Sequence, residues 1–265
     1  MSRSGETRAS ERLPLAWYAM LAAGIVVCTG GCMNPRPSTA KETGTQVSLP
    51  QYVKPFNGVD LSGWQEPSGD WRVVGDVSSD PLSPKAFVLT EGTDVLVNGQ
   101  EGSTSNLLSE MLHGDVELNL EFMVPEASNS GVYMQGRYEV QILDSWQEYE
   151  PTFGDCGGIY QRYVNGKGFG GVAPRINAAL PPGSWQRFDI TFRAPRFDEQ
   201  GQKVANARFV KVIHNGVVIH ENVEVTGPTR AASFDDEHSW GPIMLQGDHG
   251  PVAYRNIVVR HILIP

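Results

Sequence analysis

Between Trp71 and Arg260 apolar residues recur at every second position, in short runs separated by turn-forming residues, and no long stretch keeps a helical spacing. This alternation limits the fold more than any other feature. Such runs bury their apolar side by pairing as strands and packing the apolar faces together. Asp115–Val124 is the clearest case. Val116, Leu118, Leu120 and Phe122 point one way, and Glu117, Asn119 and Glu121 point the other. Further strands are predicted over Trp71–Val74, Ala86–Thr90, Gly131–Gln135, Tyr138–Leu143, Arg187–Arg193, Ala207–His214, Val217–Glu221, Gly241–Gln246 and Tyr254–Arg260. Asn215-Gly216 between two β-branched runs marks a tight hairpin. Gly136-Arg137 can turn Gly131–Gln135 back on Tyr138–Leu143. The lack of helical period argues against a parallel sheet with crossover helices. The expected fold is all-β, with two antiparallel sheets packed face to face as a sandwich or jelly roll. The 29 glycines and 18 prolines suit many short strands and turns.

The first 54 residues read differently. Arg3, Arg8 and Arg12 precede an apolar run from Leu13 to Val27, and Thr29-Gly30-Gly31-Cys32 sets small residues ahead of a cysteine. The run is shorter than the roughly 20 apolar residues of a membrane span and suits an export signal. Residues 1–31 are therefore expected to be a lipoprotein signal peptide, with Thr29 where such signals usually carry Leu or Val. Cys32 would become the lipidated first residue of the mature chain, holding it to a membrane. Residues 32–54 are rich in Pro, Ser and Thr and read as a flexible tether, with the folded domain over 55–264. The expected location is the bacterial cell envelope, at the outer membrane or in the periplasm. A formal charge of −9 without a cluster of Lys and Arg argues against nucleic acid as a partner. Cys28 leaves with the signal and Cys32 carries lipid, so Cys156 has no disulfide partner and is expected to be a small buried thiol.

The densest polar constellation runs from Asn129 to Asp144. By alternation Glu139 and Gln141 share one face of their strand, and Val140 and Ile142 share the other. Tyr133 and Gln135 share a face on the preceding strand. Paired in a hairpin, Tyr133, Gln135, Glu139 and Gln141 line one polar surface, and Glu121 is a candidate to join it. Amides bond sugar hydroxyls, a ring stacks on sugar C–H faces, and a carboxylate does acid–base work. The surface therefore suits a carbohydrate. On pattern alone, a solvated sheet face is the better reading of the same residues. Asp144 ends its strand and is as readily a turn former as a ligand. A second group is Gln246-Gly247-Asp248-His249-Gly250, followed by Tyr254-Arg255-Asn256. Its glycines let the backbone pass close to a ligand. His249 is the best placed of the six histidines for acid–base work. His214 and His220 are read as structural. No metal-ligand spacing occurs, so no cofactor is expected. Asp235-Asp236-Glu237 is read as a solvated loop in preference to a Ca²⁺ site. Trp146, Tyr149, Phe153, Tyr160 and Tyr163 lie in a long Gly-rich segment that either borders the cleft or packs on itself.

Phe56-Asn57-Gly58-Val59-Asp60-Leu61-Ser62-Gly63-Trp64 resembles the opening of the 3-keto-disaccharide hydrolase domain family, formerly domain of unknown function 1080. The resemblance continues through Asn129-Ser130-Gly131-Val132-Tyr133, Tyr138 to Asp144, Asn177-Ala178, Pro181 to Trp185, His214 to Val217, Gly241 to Gly250 and Tyr254 to Ile257. It implies a concanavalin A-type jelly roll and a hydrolase acting on glycosides whose sugar is oxidised at C3. A C3 ketone acidifies the C2 hydrogen, so a base can form an enolate and expel the oxygen on C1; water then completes net hydrolysis. On this reading Glu139 or His249 is the acid or base. Asn129, Tyr133, Gln135, Gln141, Asp144, Gln246 and Arg255 contact the carbohydrate substrate. Glu121 with Glu139 is the one carboxylate pair on offer for direct hydrolysis. The competing expectation is a non-catalytic carbohydrate-binding lectin. Trp64 and Trp185 are expected to pack the domain.

Overall fold

A computed structural model describes residues 52–66 and 69–265. The predicted signal peptide, Cys32 and the predicted tether up to residue 51 lie outside the described residues. In chain order the strands are β1 (Arg72–Asp80), β2 (Ser83–Val97), β3 (Leu107–His113), β4 (Val116–Met123), β5 (Asn129–Met134), β6 (Tyr138–Leu143), β7 (Arg162–Val164) and β8 (Lys167–Phe169). Then follow β9 (Gln186–Arg193), β10 (Arg196–Phe197), β11 (Lys203–Ala205), β12 (Ala207–His214), β13 (Val217–Val225), β14 (Gly241–Leu245) and β15 (Ala253–His261). No helix occurs among the described residues.

The long strands form two antiparallel sheets. One has seven strands in the order β1-β2-β15-β4-β9-β12-β13, and the other has four in the order β3-β14-β5-β6. β7-β8 and β10-β11 are separate two-stranded ribbons. The chain is an all-β jelly-roll sandwich, as its alternation requires. All ten predicted strands form, β6 and β12 with the predicted bounds. At the β12–β13 hairpin Asn215 and Gly216 have φ of 50° and 83°, the left-handed pair that a two-residue turn needs.

The core lies between the two sheets. Leu118, Leu120 and Phe122 of β4 and Phe188, Ile190 and Phe192 of β9 meet Val132, Met134, Tyr138, Val140 and Ile142 of the smaller sheet. Tyr138 and Phe192 touch across the sheets with ring centroids 5.5 Å apart. Burying each such side chain stabilises the fold by about 1.5–3 kcal/mol. Trp64 and Cys156 join this core, and burial pushes the Cys156 thiol up to about 12. A smaller cluster of Val74, Val77, Phe87, Val95, Val97, Met123 and Ala253 packs with Leu89 and Trp185. Leu96 belongs to the main core while its neighbours Val95 and Val97 belong to the smaller cluster. The seven-stranded sheet is therefore covered on both faces at this end.

Three features depart from the sequence reading. β3 was not predicted, because its inward positions include Ser109 and His113 while Leu112 is exposed. Ser109 Oγ accepts from Ile243 N at 2.9 Å and donates to Met111 O at 2.7 Å, and His113 Nε2 accepts from Gln135 N at 2.9 Å. These bonds make buried polar positions tolerable. The ribbons β7-β8 and β10-β11 are too short to show a period. Val53, in the stretch read as tether, exchanges two backbone hydrogen bonds with Val259 at 2.7 and 2.8 Å. Strand pairing therefore starts ahead of Pro55.

Candidate functional site

The β5–β6 hairpin sets Tyr133 opposite Glu139 and Gly131 opposite Gln141. With Val132, Val140 and Ile142 in the core, the outer face of the four-stranded sheet carries Asn129, Tyr133, Glu139 and Gln141. Glycine at 131 is needed for the carboxyl to lie where it does. A Cβ there would stand 2.3 Å from Glu139 Oε1. Two segments wall this face. Tyr160 is held by its N–H to Glu139 O at 3.2 Å. The segment bearing Arg230 is tied down by Thr229 Oγ1, which accepts from Glu139 N at 3.1 Å and donates to Arg137 O at 3.0 Å. Gln246 joins from the end of β14, where its N–H donates to Gly131 O at 2.9 Å. Together with Ala231 and His249 these residues enclose a cavity of about 290 Å³.

Glu139 is 2 % exposed at this cavity. Burial pushes its carboxyl up to about 8; a hydrogen bond from Tyr133 opposes the rise and the charge of Asp248 adds to it. At neutral pH the group is mostly a neutral acid. Burial and the neighbouring carboxyl also push the Tyr133 phenol up, keeping it a hydrogen-bond donor. Gln141 Oε1 and Gln246 Oε1 are buried without a protein partner. Each such acceptor costs about 1–3 kcal/mol, a cost that a ligand hydroxyl offsets on binding. His249 is exposed at the rim, its Nδ1 2.6 Å from Asp248 Oδ1. An Nδ1–H donated to that carboxylate leaves the Nε2 lone pair available for a proton. The loop beneath is organised by buried Asn98. Its Nδ2 donates to the carbonyls of Gly247 (3.0 Å) and Gly250 (2.8 Å), and its Oδ1 accepts from Val252 N at 2.8 Å.

Residues 51–260 match the 3-keto-alpha-glucoside-1,2-lyase-like domain family. The chain belongs to that family. A crystal structure from Parabacteroides distasonis ATCC 8503, described provisionally as a glycosyl hydrolase, is similar to this lyase-like domain. It shares 28% identity over 80% of this chain and 84% of its own, with a TM-score of 0.59. A second structure from the same organism, described in the same terms, covers 80% of this chain and 94% of its own at 14% identity and a TM-score of 0.49. No curated protein matches the chain. Family and fold together mark a carbohydrate-active domain.

Within the lyase-like domain the structure brings six of the ten predicted catalytic and binding residues to one cavity: Asn129, Tyr133, Glu139, Gln141, Gln246 and His249. The other four lie elsewhere. Gln135 falls in the hairpin turn with φ of 56°, so alternation no longer applies. Its Nε2 donates to His113 O at 3.1 Å and Ser239 O at 3.0 Å. Asp144 accepts from Ala127 N at 2.9 Å and so holds the turn before β5. Glu121 stands on the outer face of the seven-stranded sheet, across the core from Glu139. Arg255 donates to it at 2.7 Å, with the guanidinium 4.0 Å over Trp185. The two carboxylates are therefore not a pair. Gly247 and Gly250 meet Ser105 and Ser128, so they allow close packing within the protein and not approach to a ligand.

Arg230 and Ala231 were missed by sequence, since their segment carries no period. Of the loop aromatics, Tyr160 lines the cavity and Phe153 packs edge-on against it at 5.6 Å. His214 and His220 are buried, bonded to Gln186 and to Gly157 O, as a structural role requires. In the acidic run Asp236 binds Arg137 and His238, and Glu237 accepts from Tyr138 and Lys203. Among the described residues no group of three or more His, Cys, Asp or Glu side chains is arranged to hold a metal ion.

Proposed function

We propose that the Glu139 cavity binds a glycoside whose sugar carries a ketone at C3 and cleaves its bond at C1 by elimination followed by hydration. The observation that carries this reading is a buried carboxyl, protonated at neutral pH, beside two unpartnered amide oxygens in a small polar cavity. A neutral acid inside and a histidine at the rim supply the two proton-transfer roles that the elimination needs. His249 Nε2 takes the proton from C2, and the electron pair forms the enolate of the C3 ketone. Arg230 is the donor available to the enolate oxygen. The enolate collapses, the C1–oxygen bond breaks, and Glu139 gives its proton to the departing oxygen. Water then adds at C1 of the unsaturated ketone, with Glu139 as base, and His249 returns the proton to C2. Gln141, Gln246 and Asn129 fix hydroxyls.

The test is turnover of a 3-keto-α-glucoside beside its unoxidised parent, following release of free sugar. Cleavage of the keto substrate alone, with loss of deuterium from C2, is the expected result. Equal cleavage of both would exclude elimination, and binding without turnover of either would make the domain a lectin.

A further inference from the structure

A second cavity of about 430 Å³ adjoins the first, and Arg230 and Ala231 line both. Its other wall is built by Arg162 and Tyr163 of β7, with Thr229 and Asp235 across from them. The Arg230 guanidinium lies 4.7 Å over the Tyr163 ring, and that of Arg162 lies 5.1 Å over Phe169 of β8. Tyr163 and Phe169 remain 47% and 45% exposed. Arg162 donates to Thr226 Oγ1 at 3.0 Å, and neither arginine has a carboxylate partner among the described residues. Aromatic surface and spare N–H donors thus stand one side chain away from Glu139.

A glycosidic bond joins two bodies, and the smaller cavity has room for little more than the sugar that reacts. We propose that the second cavity is the subsite for the departing group and that it takes a second sugar ring. Tyr163 offers its ring to a C–H face, and Arg162 and Arg230 donate to hydroxyls. Asp235 supplies an acceptor beside the two arginine donors, so the site offers both kinds of partner that sugar hydroxyls need. The assignment rests on the reading of the Glu139 cavity as a sugar site.

The test uses calorimetric binding of maltose and of methyl α-glucoside, two unoxidised α-glucosides with two rings and one. The wild-type protein is expected to bind maltose about tenfold or more tighter than methyl α-glucoside. Tyr163→Ala and Arg162→Met should each bring the two affinities together while leaving methyl α-glucoside binding unchanged, which also reports that the fold is intact. Trp146→Ala should leave the ratio as it is, because Trp146 lines a cavity that shares no residue with the Glu139 cavity. Equal binding of the two sugars by the wild type, or a preference that survives both variants, overturns the second subsite alone. Failure to bind either sugar also overturns the second subsite, while the reading of the Glu139 cavity stands or falls separately with turnover of the 3-keto-α-glucoside.

Discussion

At Glu139 burial and the charge of Asp248 act in one direction, and both favour the proton staying on. A carboxyl with a higher pKa folded than unfolded binds more protons in the native state. Its contribution to stability therefore falls as pH rises from the ordinary carboxyl range to about 8. Glu139→Gln keeps the shape and removes that loss. The melting temperature of the variant should gain on wild type between about pH 5 and pH 8. Its kcat should fall by about 10²–10⁴. As an acid the carboxyl must be protonated, so wild-type kcat/KM should decline as pH passes about 8. The residual activity of the variant should lack that limb. A variant with normal kcat and normal melting would remove Glu139 from the chemistry. Gly131 gives a second test at this scale. In Gly131→Ala the new methyl meets the flexible end of Glu139 at 2.3 Å and the Tyr133 ring at 3.1 Å, so the carboxyl end must move and the ring must give by a few tenths of an ångström, with no backbone atom in the way. Melting close to wild type is expected, with activity down by about 10²-fold from a carboxyl displaced by an ångström. Full activity would show that the position of the carboxyl does not matter.

Alternation made individual strands legible and left their assembly illegible. The pattern of β4 and β6 gave the core face of each strand correctly. A sandwich has two outer faces, however, and both look the same in sequence. Glu121 and Glu139 were each rightly turned away from the core, yet they stand on opposite sides of it. The rule also ends where a strand ends. Gln135 has the parity of Tyr133 but sits one residue beyond β5, where a positive φ swings its side chain into a buried polar clasp. Gln135→Ala is therefore expected to cost about 1–3 kcal/mol of stability in a denaturant titration. Substrate affinity of the folded variant should stay unchanged. A weakened KM with normal stability would return Gln135 to the site. Arg230 left no signal, because an irregular segment has no period to read.

Anchoring belongs to the whole chain. Small residues ahead of Cys32 after a short apolar run motivate the proposal that this carbohydrate-active domain is held at the cell envelope by lipid on that cysteine. Cys32→Ser should leave an unprocessed precursor or a protein missing from the membrane fraction. An unmodified Cys32 on the wild-type mature chain, seen by mass spectrometry, would exclude lipidation. The strand order adds a matter of timing. Two late strands occupy interior places, β14 between β3 and β5 and β15 between β2 and β4. Neither sheet can close before its C-terminal strand arrives, and the long-range pairings this demands are slow to form. Gln246 and His249 reach the cavity from the segment that joins those two strands. A chain made only as far as β13 thus lacks Gln246 and His249 at the cavity and has neither sheet closed. If its destination lies beyond a membrane, the topology itself delays folding while everything ahead of β14 passes as an unclosed thread.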